Sequence, residues 1–337
     1  MIDFRSDTFT KPTPAMLNAM FMAEVGDDVF GEDPTVNKLE RVVAEIFGKE
    51  SSLFCPSGTM TNQIAVKSHT QPGDEIICEA LSHVYIYEGG GVAFNSGCQV
   101  KAIKGDRGRL NADQILEAIN ADDVHKPVSR VVSLENTTNR GGGCCYKISE
   151  IQKIKDVCVA NNLRLHLDGA RLFNALVATG ETTKRYGEMF DSISICLSKG
   201  LGAPVGSVLI GNTDFIKKAR RVRKVFGGGM RQAGYLAAAG LYALEHNIER
   251  LEVDHLHAKQ IADALLKKEF IGKMLPVETN IIICEVVNRF TAKTLAEALK
   301  KFNILVIPIS SNQMRLVLHL DISEEMVVET IKVIQHL

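Results

Sequence analysis

The chain has 337 residues, 45% of them apolar, with a formal net charge of −1. That length supports a large core or two unequal ones, and a near-neutral chain offers nucleic acid no basic footprint. No apolar run approaches the ~20 residues of a membrane span, and the first seven residues carry two acids and no apolar stretch of signal-peptide type. Eight cysteines occur without a C-x-x-C pair, and Cys78, Cys158, Cys196 and Cys284 sit inside apolar runs. Buried thiols of this kind fit a reducing compartment, so a soluble cytoplasmic protein is expected.

In chain order, Asp33-Pro34 opens a helix, with the acid as N-cap and proline at the first helical position. Val36, Leu39, Val42, Val43, Ile46 and Phe47 give it an apolar face, and Gly48 ends it. A short strand over 52–54 runs into Pro56-Ser57-Gly58-Thr59, and 62–69 reads as helix. Strand runs at 75–78, 100–103, 131–134, 163–167, 193–197 and 208–210 then alternate with helices at 111–120, 148–161 and 214–224. Such alternation over about 200 residues predicts an α/β fold, a mostly parallel sheet with helices on both faces. From 233 to about 268 the chain reads as one long charged helical stretch. Strands near 280–286, 305–307 and 314–318 follow, with helices at 292–301 and 324–336. The division expected is a large domain over 1–245 and a smaller α+β domain over 246–337. His246, His255 and His257 lie on the charged helix without an H-E-x-x-H pattern, so a solvated face is expected there and no metal site.

Ligands of open α/β sheets bind outside the carboxyl ends of the strands, so the residues just past each strand carry the chemistry. Lys199 follows the 193–197 run, ahead of glycines and Pro204 that forbid an ordinary helix. It is either a lysine reaching the surface from a strand end or a desolvated amine that attacks carbonyls. Asp168 ends the 163–167 strand, and a carboxylate there needs a positive partner. That partner is either Arg171 or a cationic ring nitrogen. Ser57-Gly58-Thr59 opens a helix whose free amides suit a phosphate, with hydroxyls from Ser57 and Thr59. His83, near Tyr85 and Tyr87, could stack on a flat ring and exchange protons. A phosphate cradle, a carboxylate for a ring nitrogen and an amine for an aldehyde are together what pyridoxal 5′-phosphate (PLP) requires of a protein. The run from Gly200 to Gly206 spaces its last glycine one residue too far for a dinucleotide fingerprint, which disfavours a nicotinamide enzyme. A non-catalytic module would leave both strand ends unexplained.

The sequence resembles the fold-type I, PLP-dependent L-threonine aldolases of the aspartate aminotransferase superfamily nearly end to end. The blocks that carry the resemblance are Arg5-Ser6-Asp7-Thr8, Gly26-Asp27-Asp28-Val29-Phe30-Gly31-Glu32-Asp33-Pro34, Pro56-Ser57-Gly58-Thr59 and Glu135-Asn136-Thr137. His166-Leu167-Asp168-Gly169-Ala170-Arg171, Leu197-Ser198-Lys199-Gly200 and Gly227-Gly228-Gly229-Met230-Arg231-Gln232 complete them. The resemblance implies a Schiff-base Lys199, Asp168 on the pyridine nitrogen and His83 stacked on the ring. It implies that Gly58 and Thr59 hold the phosphate with help from Arg231, including an Arg231 from a neighbouring subunit. It gives Ser6, Arg171 and Arg315 to the substrate carboxylate, with Arg171 also beside the cofactor, and makes His125 a second active-site histidine. His83 and His125 are then the candidate bases. The resemblance also implies that an N-terminal segment over 1–15 reaches the active site and that the assembly is a homo-oligomer, a dimer or tetramer with shared sites. The reaction implied is cleavage of threonine to glycine and acetaldehyde; β-elimination, transamination or racemisation on the same scaffold is the alternative. Two positions depart from the family: Thr138 stands where histidine is common, and Phe30 where tyrosine is common.

Overall fold

The computed structural model describes residues 1–337. A two-residue strand, β1 (Ile2–Asp3), precedes helices α1 (Pro14–Phe21) and α2 (Pro34–Phe47). The start of α2 follows from its sequence signals. Asp33 Oδ1 accepts from the Thr35 and Val36 amides at 3.1 and 2.9 Å, and Gly48 closes the helix at φ 61°. Val36, Leu39, Val43 and Phe47 on its inner face are fully buried.

The central sheet is built from β2 (Ser51–Cys55), β3 (Glu75–Glu79), β4 (Gln99–Ile103), β5 (Ser129–Glu135), β6 (Arg164–Gly169), β7 (Ser192–Cys196) and β8 (Ser207–Gly211). Spatially the order is β2-β8-β7-β6-β5-β3-β4. Only β8 runs antiparallel to its neighbours, so the sheet is mixed and mostly parallel, as expected. Every residue of β3, β7 and β8 is buried, because helices cover both faces; this is why these strands read as apolar runs rather than alternating ones. Two helices leave the carboxyl ends of strands toward the site: α3 (Gly58–His69) after β2 and the single turn α4 (His83–Ile86) after β3.

A second, smaller core lies under the antiparallel sheet β12-β13-β10-β9. Its strands are β9 (Ile271–Met274), β10 (Ile281–Val286), β12 (Ile307–Pro308) and β13 (Gln313–Val317), while β11 (Ile304–Leu305) pairs in parallel with β1. Ile2 and Phe4 therefore pack into the C-terminal core, whereas Leu251 belongs to the large one.

The stretch from 233 to 268 is two helices, Gly234–His246 and Leu251–Leu265, rather than one. Asn247 breaks it, its buried amide donating to the Leu201 carbonyl at 2.7 Å. The helical pattern of the side chains continues through the corner and so hides it. The second helix packs against helices Leu172–Thr179 and Glu324–His336. That packing buries His255 and His257, against the expectation of a solvated face; His246 alone of the three stays exposed. His255 Nε2 lies 3.0 Å from Asn174 Oδ1, and burial pushes its pKa down to about 4. No helix is long and apolar enough to cross a membrane.

Candidate active site

A cavity of about 470 Å³ opens at the carboxyl ends of the parallel strands. Ser6, His83, Arg171, Lys199 and Arg315 all line it, with Thr8, Tyr87, Asn139 and Arg140. Ser6 and Thr8 form part of this wall, and pairing of β1 with β11 anchors the chain just before them.

Asp168 is the penultimate residue of β6, opposite Glu135 at the end of β5, and is 3% exposed. Its Oδ2 accepts from Asn62 Nδ2 at 2.9 Å and its Oδ1 from the Ala170 amide at 3.1 Å. The ion pair with Arg171 does not form. Arg171 instead holds Asp7 through two parallel bonds of 2.7 Å, Nε to Oδ2 and Nη2 to Oδ1. Burial opposes ionisation of Asp7, but the Arg171 charge and hydrogen bonds outweigh it and hold the carboxyl below its ordinary value. Asp168 is thus a buried carboxylate with two neutral donors and no ion-pair partner in the chain. Such a group is costly unless a cation meets it, and a protonated ring nitrogen is a cation of the right kind.

Around Asp168 runs a hydrogen-bonded set that sequence reading missed. Asn62, on the buried face of α3, donates through Nδ2 to both Asp168 and Glu88 Oε1, each at 2.9 Å. Glu88 also accepts from Gln63 Nε2 at 2.7 Å and meets His83 Nδ1 at 2.9 Å. Since the carboxylate only accepts, His83 Nδ1 carries the proton and Nε2 is left for other chemistry. Burial would lower the His83 pKa, but the Glu88 hydrogen bond and the Asp168 charge hold it above its ordinary value. Glu135 Oε2 accepts from the His83 amide at 2.6 Å and Oε1 from the Asn139 amide at 2.7 Å. Burial, then the charge of Asp168, pushes Glu135 up to about 7. Asn139 Oδ1 in turn accepts from Arg315 Nη1 at 2.8 Å. The one local signal for these residues is a polar side chain inside an apolar or aromatic context, as at Asn62 ahead of Ile64, Ala65 and Val66.

Lys199 stands three residues past β7 in an irregular turn. Its carbonyl accepts from the Gly202 amide at 2.8 Å and from Thr10 Oγ1 at 3.2 Å, which ties the N-terminal segment to the turn. Gly202 adopts φ 80°, a conformation glycine reaches without strain. At α3, Ser57 Oγ caps the helix by accepting from the Met60 amide at 3.2 Å. The first-turn amides of Gly58 and Thr59 stay free by helix geometry. A Cβ on Gly58 would lie 2.6 Å from Cys196 Sγ, so glycine alone lets the helix start rest on the end of β7. An anion-binding helix end, a lone buried carboxylate and an amine on neighbouring strand ends fit PLP.

Six expected site residues do not line this cavity: Asp168 and the Ser57, Gly58 and Thr59 cradle described above, and also His125 and Arg231. The His125 ring is 87% exposed and bonds Asp123 Oδ1 at 2.8 Å. It precedes Ser129, the first residue of β5, and so emerges at the amino edge of the sheet rather than the carboxyl edge. The half-exposed Arg231 guanidinium pairs with Asp27 at 2.8 Å. Of the two departures, Thr138 is buried and donates to the Arg107 carbonyl at 2.9 Å, and Phe30 projects from the surface.

Comparison with known proteins places the chain. Residues 3–289 match the β-eliminating lyase family model. The chain is 45% identical over 333 residues to a low specificity L-threonine aldolase of Escherichia coli O157:H7, covering 98% of this chain and 97% of that protein. It is 42% identical over 325 residues to low-specificity L-threonine aldolase 1 of Arabidopsis thaliana, covering 94% and 91%. A threonine aldolase structure from Leishmania major has the same fold, at TM-score 0.88 over 100% of this chain and 99% of that one, with 23% identity. The chain therefore belongs to the β-eliminating lyase family, in its low-specificity L-threonine aldolase branch.

Proposed function

We propose that this cavity cleaves L-threonine and L-allo-threonine to glycine and acetaldehyde, with PLP held by Lys199, Asp168, His83, Ser57, Gly58 and Thr59. The observation that carries the reading is the buried Asp168 carboxylate, free of any ion pair in its own chain and braced by Asn62. When bound, the cofactor supplies an electron sink for the substrate α-carbon. Lys199 supplies the amine that anchors it, and Asp168 keeps a positive charge on the ring nitrogen.

Arg315 takes the substrate carboxylate. Its Nε is buried without a partner, and burial followed by repulsion from Arg171 pushes its pKa down to about 10. An incoming carboxylate relieves both. Arg171, already committed to Asp7, adds positive charge to that wall and Ser6 a hydroxyl. A carboxylate clamped there would fix the orientation of the substrate in the cavity, the positioning that retro-aldol cleavage needs. His83 Nε2 is the atom that accepts the β-hydroxyl proton, because Glu88 keeps the other ring nitrogen protonated. His125 is left out of this intrachain set.

A homo-oligomer with shared sites belongs to the same reading. Phe30, Phe94 and Val225 are exposed apolar side chains of the kind that assemblies cover, and Arg231 lies outside its own cavity. All eight thiols are buried and unpaired, which suits a reducing cytoplasm.

Borohydride reduction of PLP-saturated protein should label Lys199, and Lys199→Ala should abolish acetaldehyde release from threonine. Label on another lysine, or turnover retained in the variant, removes the assignment. Keto-acid production from threonine or serine in place of acetaldehyde and glycine would favour β-elimination or transamination.

A further inference from the structure

His166 is a fully buried titratable side chain that takes no part in the proposed reaction. Along β6, Leu165 and Leu167 face the large core, so His166 and Asp168 share the other face, where α3 packs. The strand register sets Ser192 of β7 beside His166. Polar groups between a helix and a sheet are costly unless each is satisfied, and here the partners form one chain. His166 Nε2 lies 3.2 Å from Asn62 Oδ1, and His166 Nδ1 lies 2.9 Å from Ser192 Oγ. Ser192 Oγ in turn lies 2.9 Å from Nε2 of His69, the last residue of α3.

The proton positions follow from the fixed end of this chain. Asn62 Nδ2 donates to both Asp168 and Glu88, carboxylates that only accept, so Asn62 Oδ1 turns away from them toward His166. His166 Nε2 therefore carries a proton. Its titratable neighbours are Asp168 along the strand and His69 from α3. Burial pushes the His166 pKa down to about 4 against the Asp168 charge, so the ring is neutral and Nδ1 accepts from the Ser192 hydroxyl. The Ser192 oxygen then accepts from His69 Nε2, whose ring burial and the nearby His166 also keep neutral, with a pKa of about 3. Turned over, the Asn62 amide would set its oxygen against two carboxylates and its N–H against that of His166.

We propose that His166 is a positioning residue: its Nε2–H holds the Asn62 amide with both hydrogens toward Asp168 and Glu88, and so keeps Asp168 ionised for the cofactor's ring nitrogen. This role presupposes the pairing of Asp168 with PLP read above. The test is the nitrogen-15 signal of PLP labelled at the ring nitrogen and bound to the protein. His166→Leu, which removes the donor, should move that signal from the pyridinium toward the pyridine position, because a carboxylate short of a donor takes the proton itself. Loss of a hydrogen bond to a charged group corresponds to a shift of about 10–10²-fold in the proton's partition. His166→Gln, which restores an N–H, should return the signal most of the way, a rescue that packing alone would not give. Added to Asn62→Leu, His166→Leu should shift the signal no further, since His166 acts through Asn62; an additive shift overturns the role. Asp168→Asn is the control. A signal that it leaves in place removes the Asp168 reading and this role with it. A signal that Asp168→Asn moves and His166→Leu does not overturns the role of His166 alone. If His166→Leu does not fold, the unmodified holoenzyme decides. Spectra of nitrogen-15-labelled histidine must show His166 neutral with its proton on Nε2, and the Nδ1 tautomer or an imidazolium overturns the role.

Discussion

The walls of the candidate catalytic cavity contributed by the end of β6 and by β13 each present an arginine, buried in the first and half-buried in the second, in opposite electrostatic states. Arg171, just past β6, is matched bidentately by Asp7 and has its counter-charge built in. Arg315, on β13, donates only to neutral acceptors, Asn139 Oδ1 at 2.8 Å and the Arg5 carbonyl at 3.2 Å, and its Nε is unpartnered. The first is a strut that holds the N-terminal segment against the large unit. On the proposed reading the second is a receptor, because a desolvated cation surrounded by dipoles alone gains most when an anion arrives. Residue type is alike at the two positions, and although Arg171 is buried and Arg315 half-buried, it is the partner that separates them.

Breaking the strut should have the largest effect. Asp7→Asn leaves Arg171 buried without a counter-charge and should cost about 3–5 kcal/mol in denaturant unfolding. A loss under about 1 kcal/mol would remove the distinction between the two arginines. The sign of its pH dependence follows from the lowered Asp7 pKa. The pair's stabilisation is complete above the ordinary carboxyl value of 3.8 and is lost as pH falls through the lower folded value. Wild type and variant should therefore converge in acid.

Emptying the receptor should act on binding rather than folding. Arg315→Met should raise KM for threonine about 10²-fold, in the range for removing one partner of a buried charge pair, with unfolding free energy unchanged or increased. A stability loss matching that of Asp7→Asn would make Arg315 a second strut.

The smallest effect sharpens the floor between those walls. Glu88→Gln should lower the His83 pKa and move the acid limb of the kcat/KM profile to lower pH. The loss at the optimum should stay below about tenfold, since the imidazole itself, worth about 10²–10⁴-fold, remains. In wild type the raised His83 pKa adds stability that is complete below the unfolded histidine value and is lost as pH rises through the folded one. That dependence should weaken in the variant. An unmoved acid limb would detach His83 from the proton step.

Local signals carried much of the molecule. The strand–helix order, the cap and stop of α2, and the placement of Asp168 and Lys199 at or just beyond the carboxyl ends of strands follow from short-range patterning and from the rule that parallel sheets bind at their carboxyl ends. The strands of the central sheet occur within two residues of the runs read from sequence. A helical period, by contrast, continues unaltered through a corner, which is why Asn247 and the burial of His255 and His257 were not legible.

What the amino-acid sequence determined by itself was therefore the architecture and the chemical inventory of the site, because propensity, capping and apolar periodicity act over a few neighbouring residues. The tertiary structure alone decided pairing. Arg171 chose Asp7, 164 residues away, over the adjacent Asp168; Glu135 came to lie under His83; and His125 and Arg231 stayed outside their own chain's cavity. Partner choice among buried charges depends on which atoms the packed sheet brings within 3 Å of one another, and no local pattern encodes that distance.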